Sequence, residues 1–270
     1  MIINSNTIAI IGMDFDLTLV DYNENGPYVP RQTLDLLSDL IRGGLEVGIV
    51  SGRYWWEMRD LLEGAGLDWG KPFPSFVAAR EAFIYWIRDG QMMPDIEWNR
   101  CRCEEVAELA RILVPHETEF VQALEAEGLK IRRFILWGDY GLEVHFASAE
   151  EAETAREHLA RWVADIHLAR THRNRLMAHV VLATAGKGKS LLRVAESKGL
   201  GPRNVLAMGD TLNDMDMLDG SLGFWTGAVG NADDVIQEAV RNAGGVVASA
   251  TAGAGVAEII QTYRDRGLIP

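Results

Sequence analysis

The sequence predicts an α/β protein built on a parallel sheet with helices on both faces, plus a separate α+β module. Near both ends of the chain, short and almost wholly apolar runs alternate with amphipathic helices, as in sheets buried on both faces. The middle instead has hairpin patterns, in which turn residues separate runs of alternating polarity. Polar motifs follow several apolar runs, at the sheet edge where such folds bind ligands.

The first elements are two strand–helix pairs. Thr7–Met13 is an apolar run typical of a buried strand. Pro30–Ile41 is predicted to be a helix, because proline lies near its start and Gly43-Gly44 follows its end. Leu45–Val50 repeats the buried-strand pattern, and Arg53–Leu62 repeats the helical one. These pairs begin the parallel sheet.

The middle of the chain has a different pattern. Ser148 and Glu151 form a capping-box sequence that opens one of its helices. The predicted elements are a hairpin starting at Phe83–Ile87 with the turn Asp89-Gly90, the helices Glu104–Leu113 and Glu117–Glu127, a hairpin of Ile131–Trp137 and Leu142–Phe146 around Gly138–Gly141, the helix after Ser148, and the strand Leu176–Ala183. This mixture is typical of an inserted α+β module.

The alternation of helices and strands returns at the end of the chain. The predicted helices are Ser190–Ser197, Met215–Leu218, Asp233–Val240 and Val256–Tyr263, and the predicted strands are Val205–Met208, Leu222–Trp225 and Val246–Val247. Together with the first elements, they complete one large sheet domain.

Composition limits the partners. The 270 residues carry a formal net charge of -13, which repels nucleic-acid phosphates and anionic membranes, so neither is an expected partner. Cys101 and Cys103 are expected to be reduced thiols, because a disulfide across one residue is strained. Neither a signal peptide nor a membrane-spanning run is recognised, and a cytoplasmic protein is expected. No oligomeric state is predicted.

Two aspartates follow the first strand directly. We interpret Asp14 as a nucleophile toward phosphorus and Asp16 as the general acid and base that serves the leaving group and then water. Side chains two residues apart can meet at one site only if the chain turns after Asp14. The alternative is an ordinary polar strand end, since short motifs often occur by chance.

Two further segments supply groups for a phosphoryl oxygen. Ser51 and the Gly52 amide follow the second strand and could hold phosphoryl oxygens, although serine and glycine are also common in such turns. Lys187, between two glycines, could neutralise the phosphoryl group and Asp14, and Lys189 competes for this role. Arg53 is left without an assigned role.

The last motif follows the strand Val205–Met208. Asp210 is predicted to be a direct metal ligand and Asp214 to orient a metal-bound water. Asn213 could bind a phosphoryl oxygen or fix Asp210. The alternative is an acidic helix N-terminus, which aspartate favours in any case.

Electrostatics requires a cation among these groups. A carboxylate about 4 Å from one negative charge is repelled by roughly 4 kcal/mol at an effective dielectric constant of 20, and a phosphate dianion doubles this. An aspartate nucleophile therefore needs both a lysine and a divalent metal, and carboxylate oxygens favour Mg²⁺.

The joint pattern resembles the haloacid dehalogenase superfamily of phosphatases. The segments that carry the resemblance are Asp14-Phe15-Asp16-Leu17-Thr18, Ser51-Gly52-Arg53, Lys187-Gly188 and Gly209-Asp210 through Asp214. The resemblance implies a Rossmann-like core, an aspartyl-phosphate intermediate and Mg²⁺ held by Asp14, Asp210 and the Asp16 carbonyl. An aspartate at position 16 points to a phosphatase or a phosphomutase.

Motif spacing implies a cap domain between the second and third motifs, as in the Cof-like and sucrose-phosphate-phosphatase-like branch. The predicted domains are a catalytic core of residues 1–81 and 184–270 and a cap of residues 82–183. This branch suggests a sugar phosphate or a related small monoester as substrate. Leu17 departs from the usual glycine of the family, and Arg80-Glu81-Ala82 from the usual Asn-Gly-Ala. Arg80 could bind a second anionic group of the substrate or be a surface arginine.

Three functional hypotheses result. The first is Mg²⁺-dependent hydrolysis of a small phosphate monoester. The second is a phosphomutase of the phosphomannomutase type, which returns the phosphoryl group to a sugar. The third is a non-catalytic binding or regulatory protein with the same fold, against which the cost of unused buried carboxylates argues.

Overall fold

The computed structural model describes residues 7–24, 26–137 and 141–270. Within these residues the helices are α1 (Arg31–Arg42), α2 (Trp55–Gly64), α3 (Ile96–Leu113), α4 (Glu117–Ala126), α5 (Ala149–Trp162), α6 (Lys187–Ser197), α7 (Met215–Leu218), α8 (Asp234–Asn242) and α9 (Ala252–Asp265). The strands are β1 (Ile10–Met13), β2 (Asp21–Asn23), β3 (Gly26–Tyr28), β4 (Glu46–Ser51), β5 (Phe76–Ala79), β6 (Phe83–Arg88), β7 (Gln91–Pro94), β8 (Arg133–Trp137), β9 (Gly141–His145), β10 (Ala169–Asn174), β11 (Met177–Leu182), β12 (Val205–Gly209), β13 (Trp225–Ala228) and β14 (Val246–Val247).

The chain divides into two compact units. The larger unit contains Met1–Asp95 and Lys187–Pro270, and the smaller unit contains Ile96–Gly186. No helix in the described part of the chain is both long enough and apolar enough to span a membrane.

The larger unit is built on an eight-stranded sheet with the order β14-β13-β12-β1-β4-β5-β6-β7. Its first six strands pair in parallel, and β6 and β7 extend the sheet antiparallel. Every residue of β1 is buried, which agrees with its continuous apolar sequence. The predicted α/β core is therefore confirmed.

The order of the strands gathers the motifs. The central strand β1 lies between β12 and β4 and pairs in parallel with both. Asp14 directly follows β1, Asp210 directly follows β12, and Ser51 is the last residue of β4. Because parallel strands end at the same edge, three motifs distant in sequence become neighbours.

The smaller unit has an antiparallel sheet with the order β10-β11-β9-β8. The helices α3 and α5 pack against strands β9 to β11. Leu142, Val144 and Val180 are fully buried, and the side chains next to them in sequence point to the opposite face. This is the predicted α+β module, and the turn residues 138–140 of its hairpin lie outside the described residues.

Several elements differ from the predictions. The hairpin β6–β7 extends the large sheet, although we predicted it within the module. Strand β10 was missed because its sequence, ARTHRN, has no apolar alternation. A strand predicted at Leu222–Trp225 is instead Trp225–Ala228, because Gly223 adopts a φ of +78° and turns the chain first. The strands β2, β3 and β5 were not predicted.

Candidate active site

Lys187 is the central cation of the site. It is fully buried as the first residue of α6. Its Nζ lies 2.7 Å from Asp14 Oδ1 and 2.5 Å from Asp214 Oδ1. Lys189, the competing candidate, is exposed. The structure thus places Lys187, and not Lys189, against the predicted nucleophile.

The glycine after Lys187 explains how the ammonium group reaches the sheet edge. A Cβ on Gly188 would lie 2.5 Å from the backbone oxygen of Asp216 and 2.6 Å from a methyl carbon of Leu222. Only glycine permits the start of α6 to approach this backbone so closely. The Gly188 amide also donates to the Asp216 carboxylate at 3.2 Å.

Asp210 and Asp214 are both buried beside Asp14. One carboxylate oxygen from each of the three lies within 4.8 Å of the other two. Asp210 Oδ1 accepts a hydrogen bond from Thr18 Oγ1 at 2.8 Å. Asp214 Oδ2 accepts from the amides of Asp210 and Thr211 at 2.9 and 3.0 Å, so both Asp214 oxygens already have donors.

This donor set fits a divalent magnesium ion. Mg²⁺ prefers carboxylate oxygens and retains several waters, and three buried carboxylates converge here. A single ammonium group cannot neutralise them, so a further cation would relieve the remaining negative charge. Asp14 and Asp210 are suited to direct contact with the metal, whereas the occupied oxygens of Asp214 suit it to orienting other groups.

The excess negative charge affects the protonation of Asp14. Burial raises the pKa of Asp14 well above its ordinary value, and the Asp214 and Asp210 charges add to this, although Lys187 opposes them. Burial also disfavours the Lys187 ammonium, but the charges of Asp14, Asp214 and Glu81 outweigh it, and the pKa of Lys187 is raised. Lys187 is therefore held as a cation.

Asp16 is held by a different set of donors. Arg53 Nε donates to its Oδ2 at 2.7 Å and Arg53 Nη2 to its Oδ1 at 2.8 Å, and the Tyr22 hydroxyl also donates to Oδ1. Burial alone would raise the pKa of Asp16, but these hydrogen bonds and the Arg53 and Lys187 charges lower it. Asp16 is thus a carboxylate in this arrangement.

Ser51 and Gly52 lie at the end of β4, where the sequence predicts contacts with phosphoryl oxygens. Ser51 is buried, and its hydroxyl accepts a hydrogen bond from the Arg53 amide at 3.2 Å. Its carbonyl accepts from the Glu81 amide at 2.9 Å. A Cβ on Gly52 would lie 3.8 Å from Glu81 Oε1, which places that carboxylate beside the glycine.

The Asn213 side chain forms hydrogen bonds with two segments, the turn after β5 and the loop after β12. Its Nδ2 donates to Glu81 Oε1 at 3.3 Å, and its Oδ1 accepts from Thr211 Oγ1 at 2.5 Å. These contacts fix the amide orientation. They also connect the loop after β12 to the turn after β5.

Arg80 is buried, which argues against the surface alternative. Its Nη1 donates to the Gly52 carbonyl at 3.0 Å, and its guanidinium lies 4.6 Å from the centre of the Tyr54 ring. Arg80 therefore stabilises the backbone at Gly52 through this hydrogen bond.

No role was assigned from the sequence to four residues whose side chains contact the candidate site residues. They are Thr18, Tyr22, Arg53 and Glu81. Thr18 and Arg53 had a signal, because both lie within the motifs. Glu81 had a weaker signal, as part of the unusual segment Arg80-Glu81-Ala82, and Tyr22 had none, because its role depends on a hairpin that brings it to the site. Leu17 has a φ of +60°, a backbone conformation that favours glycine, so a leucine is strained at this position.

Comparison with known proteins supports the resemblance. Residues 141–260 match the sequence model of the haloacid dehalogenase-like hydrolases. The resemblance to this family is confirmed. Over 91 residues the chain is 37% identical to the phosphoglycolate phosphatase of Methanococcoides burtonii, covering 34% of this chain. The match spans only 38% of the length of that relative.

Solved structures share the fold over nearly the whole chain. The sucrose-phosphatase of Synechocystis sp. PCC6803 is 17% identical with a TM-score of 0.68, covering 96% of this chain and 98% of that one. A protein from Bacteroides thetaiotaomicron, described among phosphatases of the haloalkanoate (HAD) enzyme superfamily, is 18% identical with a TM-score of 0.64, covering 98% of this chain and 97% of that one. At these identities the likeness concerns the fold. The family match and the phosphatase names of the relatives agree with the predicted enzyme class.

Proposed function

We propose that this protein is a Mg²⁺-dependent phosphatase of a small phosphate monoester, namely a sugar phosphate or a related metabolite. The observation that carries the proposal is the contact of a fully buried Lys187 with Asp14, beside the Asp210 and Asp214 carboxylates. The phosphatase names of the relatives and the fold shared with a sucrose-phosphatase support it.

The proposed reaction has two displacements. An oxygen of Asp14 attacks phosphorus, the bond from phosphorus to the ester oxygen breaks, and Asp16 gives that oxygen a proton. Water then attacks phosphorus, its proton passes to Asp16, and the bond to Asp14 breaks. Arg53 and Tyr22 hold Asp16 as a carboxylate, so Asp16 first takes up a proton from solvent with the loss of one of these contacts, and the proton that it later accepts from water restores the acid for the next cycle.

The other residues of the chain bind and orient the phosphoryl group. Lys187 neutralises the phosphoryl oxygens and Asp14, while Ser51 and the Gly52 amide bind the oxygens. Asn213 and Arg80 are proposed to complete the substrate site. Mg²⁺ supplies Lewis-acid neutralisation of the phosphoryl charge when bound to Asp14, Asp210 and the Asp16 carbonyl, with Asp214 orienting the surroundings.

The smaller unit is proposed to act as a cap that selects the leaving group and limits water access. We propose a core of residues 1–81 and 184–270 and a cap of residues 82–183, in which the cap corresponds to the smaller unit Ile96–Gly186 together with the hairpin β6–β7 that pairs in the large sheet. A cap of this kind would control specificity, whereas the chemistry would depend on the core residues.

Replacement of the nucleophile tests the proposal. Asp14→Asn should lower hydrolysis of an aryl phosphate by more than about 10³-fold with the fold intact, because an amide cannot attack phosphorus. Turnover is measured with Mg²⁺ across a panel of phosphate esters, and folding by circular dichroism. Asp35→Asn, at an exposed position of α1, is the matched control. Undiminished activity of Asp14→Asn would refute the nucleophile.

The same panel separates the alternatives. A phosphomutase would return the phosphoryl group to a hexose monophosphate in the presence of a hexose bisphosphate, which product analysis detects. A binding protein would give no Mg²⁺-stimulated phosphate release from any ester of the panel.

A further inference from the structure

The turn between β5 and β6 has an unusual backbone. The Ala82 amide donates to the Ala79 carbonyl at 3.1 Å and closes a four-residue turn. Its two central residues, Arg80 and Glu81, have φ values of +54° and +55°, as in a type I′ turn. Such turns favour asparagine and glycine, because other side chains are strained at positive φ. Two large charged residues therefore occupy a turn that disfavours both.

Glu81 is also buried, with only 2% of its surface exposed. Its backbone contacts both neighbouring segments: the amide donates to the Ser51 carbonyl at 2.9 Å, and the carbonyl accepts from Ser190 Oγ at 2.9 Å. These bonds need no side chain, and glycine would retain them. They cannot explain why a glutamate stands at this position.

The side chain makes a separate contact. Glu81 Oε1 accepts from Asn213 Nδ2 at 3.3 Å, while Thr211 Oγ1 fixes the other end of the same amide. The carboxylate also lies beside Gly52. A buried negative charge near a phosphoryl site opposes phosphate binding, so a residue that served only the turn would not carry one.

We propose that Glu81 is a positioning residue whose carboxylate holds Asn213, and with it the loop from Asp210 to Asp214, against the end of β4. The inference rests on the proposed phosphatase function for its kinetic consequences. The strained turn and the buried carboxylate cost stability. In return, they fix the geometry of the loop from Asp210 to Asp214.

Two substitutions distinguish the contribution of the Glu81 side chain from that of the Glu81 backbone. Glu81→Gly removes the strain and the carboxylate but retains both backbone bonds. Glu81→Gln retains the acceptor for Asn213 and removes the charge. Asp89→Gly is the matched control, because Asp89 is exposed in the next hairpin turn with a φ of +50°.

We expect Glu81→Gly to keep or raise the melting temperature, by about as much as Asp89→Gly does, while lowering kcat about 10-fold or more with little change in KM. Glu81→Gln should retain most of kcat. In an Asn213→Ala background, Glu81→Gly should add little further loss, because the two act as one unit.

If Glu81 only stabilised the fold, kcat and the melting temperature would fall together in the Glu81→Gly variant. If the Glu81→Gly variant keeps the wild-type kcat, or loses kcat only in proportion to lost stability, the inference is wrong. Additive losses with Asn213→Ala also overturn it.

Amide hydrogen exchange tests the contact without any turnover. The Asn213 side-chain amide, assigned by its absence in Asn213→Ala, should exchange faster in Glu81→Gly and stay protected in Glu81→Gln. Unchanged protection in Glu81→Gly contradicts the inference even if the protein hydrolyses no ester. Absence of hydrolysis by the wild-type protein would instead refute the proposed function alone.

Discussion

Lys187 is a fully buried ammonium group that shares its donors between two carboxylates. Buried charges of this kind are stable only as a set, because each one compensates the desolvation of the others. Asp14, Asp210 and Asp214 lie close enough to repel one another, and removal of the lysine would leave this repulsion without compensation. The residue therefore contributes to folding as well as to the proposed chemistry.

Lys187→Met should lower the free energy of unfolding by about 3–5 kcal/mol, since it leaves buried carboxylates without their cation. Urea unfolding in EDTA measures the change without a contribution from metal. Lys189→Met, two residues along the same helix and exposed, should change it by less than about 1 kcal/mol. Equal losses in the two variants would contradict the central position of Lys187.

At the scale of elements, the start of α6 depends on close packing against the Asp216 backbone. Gly188→Ala should lower the free energy of unfolding by about 1–3 kcal/mol, because its Cβ would lie 2.5 Å from a backbone oxygen. Gly64→Ala is the control, since nothing lies within 4 Å of a Cβ at this last residue of α2. That variant should gain about 0.5–1 kcal/mol. Thermal unfolding of both variants measures the difference.

The entry to α9 is held by a carboxylate of the same helix. Glu258 accepts hydrogen bonds from the amides of Ser249 and Ala250, both at 2.9 Å. These bonds lower the pKa of Glu258 below its ordinary value. The stabilisation is therefore present above the unfolded pKa of about 4.3 and is lost as the pH falls through the folded value.

Glu258→Gln should thus lower the free energy of unfolding at pH 7, by less than about 1 kcal/mol at this partly exposed position, and have little effect near pH 3. Urea unfolding at both pH values measures this dependence. Glu238→Gln, exposed on α8, is the control. A deficit that stays constant with pH would mean that the charge of Glu258 has no part in it.

At the scale of the whole molecule, the net charge of -13 opposes the approach of the proposed substrate, a phosphate dianion. Raising the ionic strength from about 0.01 M to about 0.1 M shortens the screening length from about 30 Å to about 10 Å. We expect kcat/KM for a phosphate ester to rise over this range with kcat unchanged and Mg²⁺ held constant. Inhibition by inorganic phosphate should strengthen in parallel. A falling kcat/KM would show that local cations dominate the approach.

Much of the core could be predicted because its signals are local. The apolar run before Asp14 and the glycines around Lys187 are visible in the sequence, and the motif order indicated which strand ends would meet. The strands β2 and β3 could not be predicted because they have only three residues each, and β10 could not be predicted because its polar sequence has no apolar alternation.

The sequence by itself determined the α/β class and the resemblance to a phosphatase family, and it predicted Asp14, Lys187 and Asp210 as candidate site residues. Tertiary structure decided which lysine reaches the carboxylates, that Arg53 and Tyr22 hold Asp16, and that Glu81 contacts Asn213. The physical reason is that motifs record chemistry along the chain, whereas burial and hydrogen bonding between distant segments exist only after the sheet brings its strand ends together.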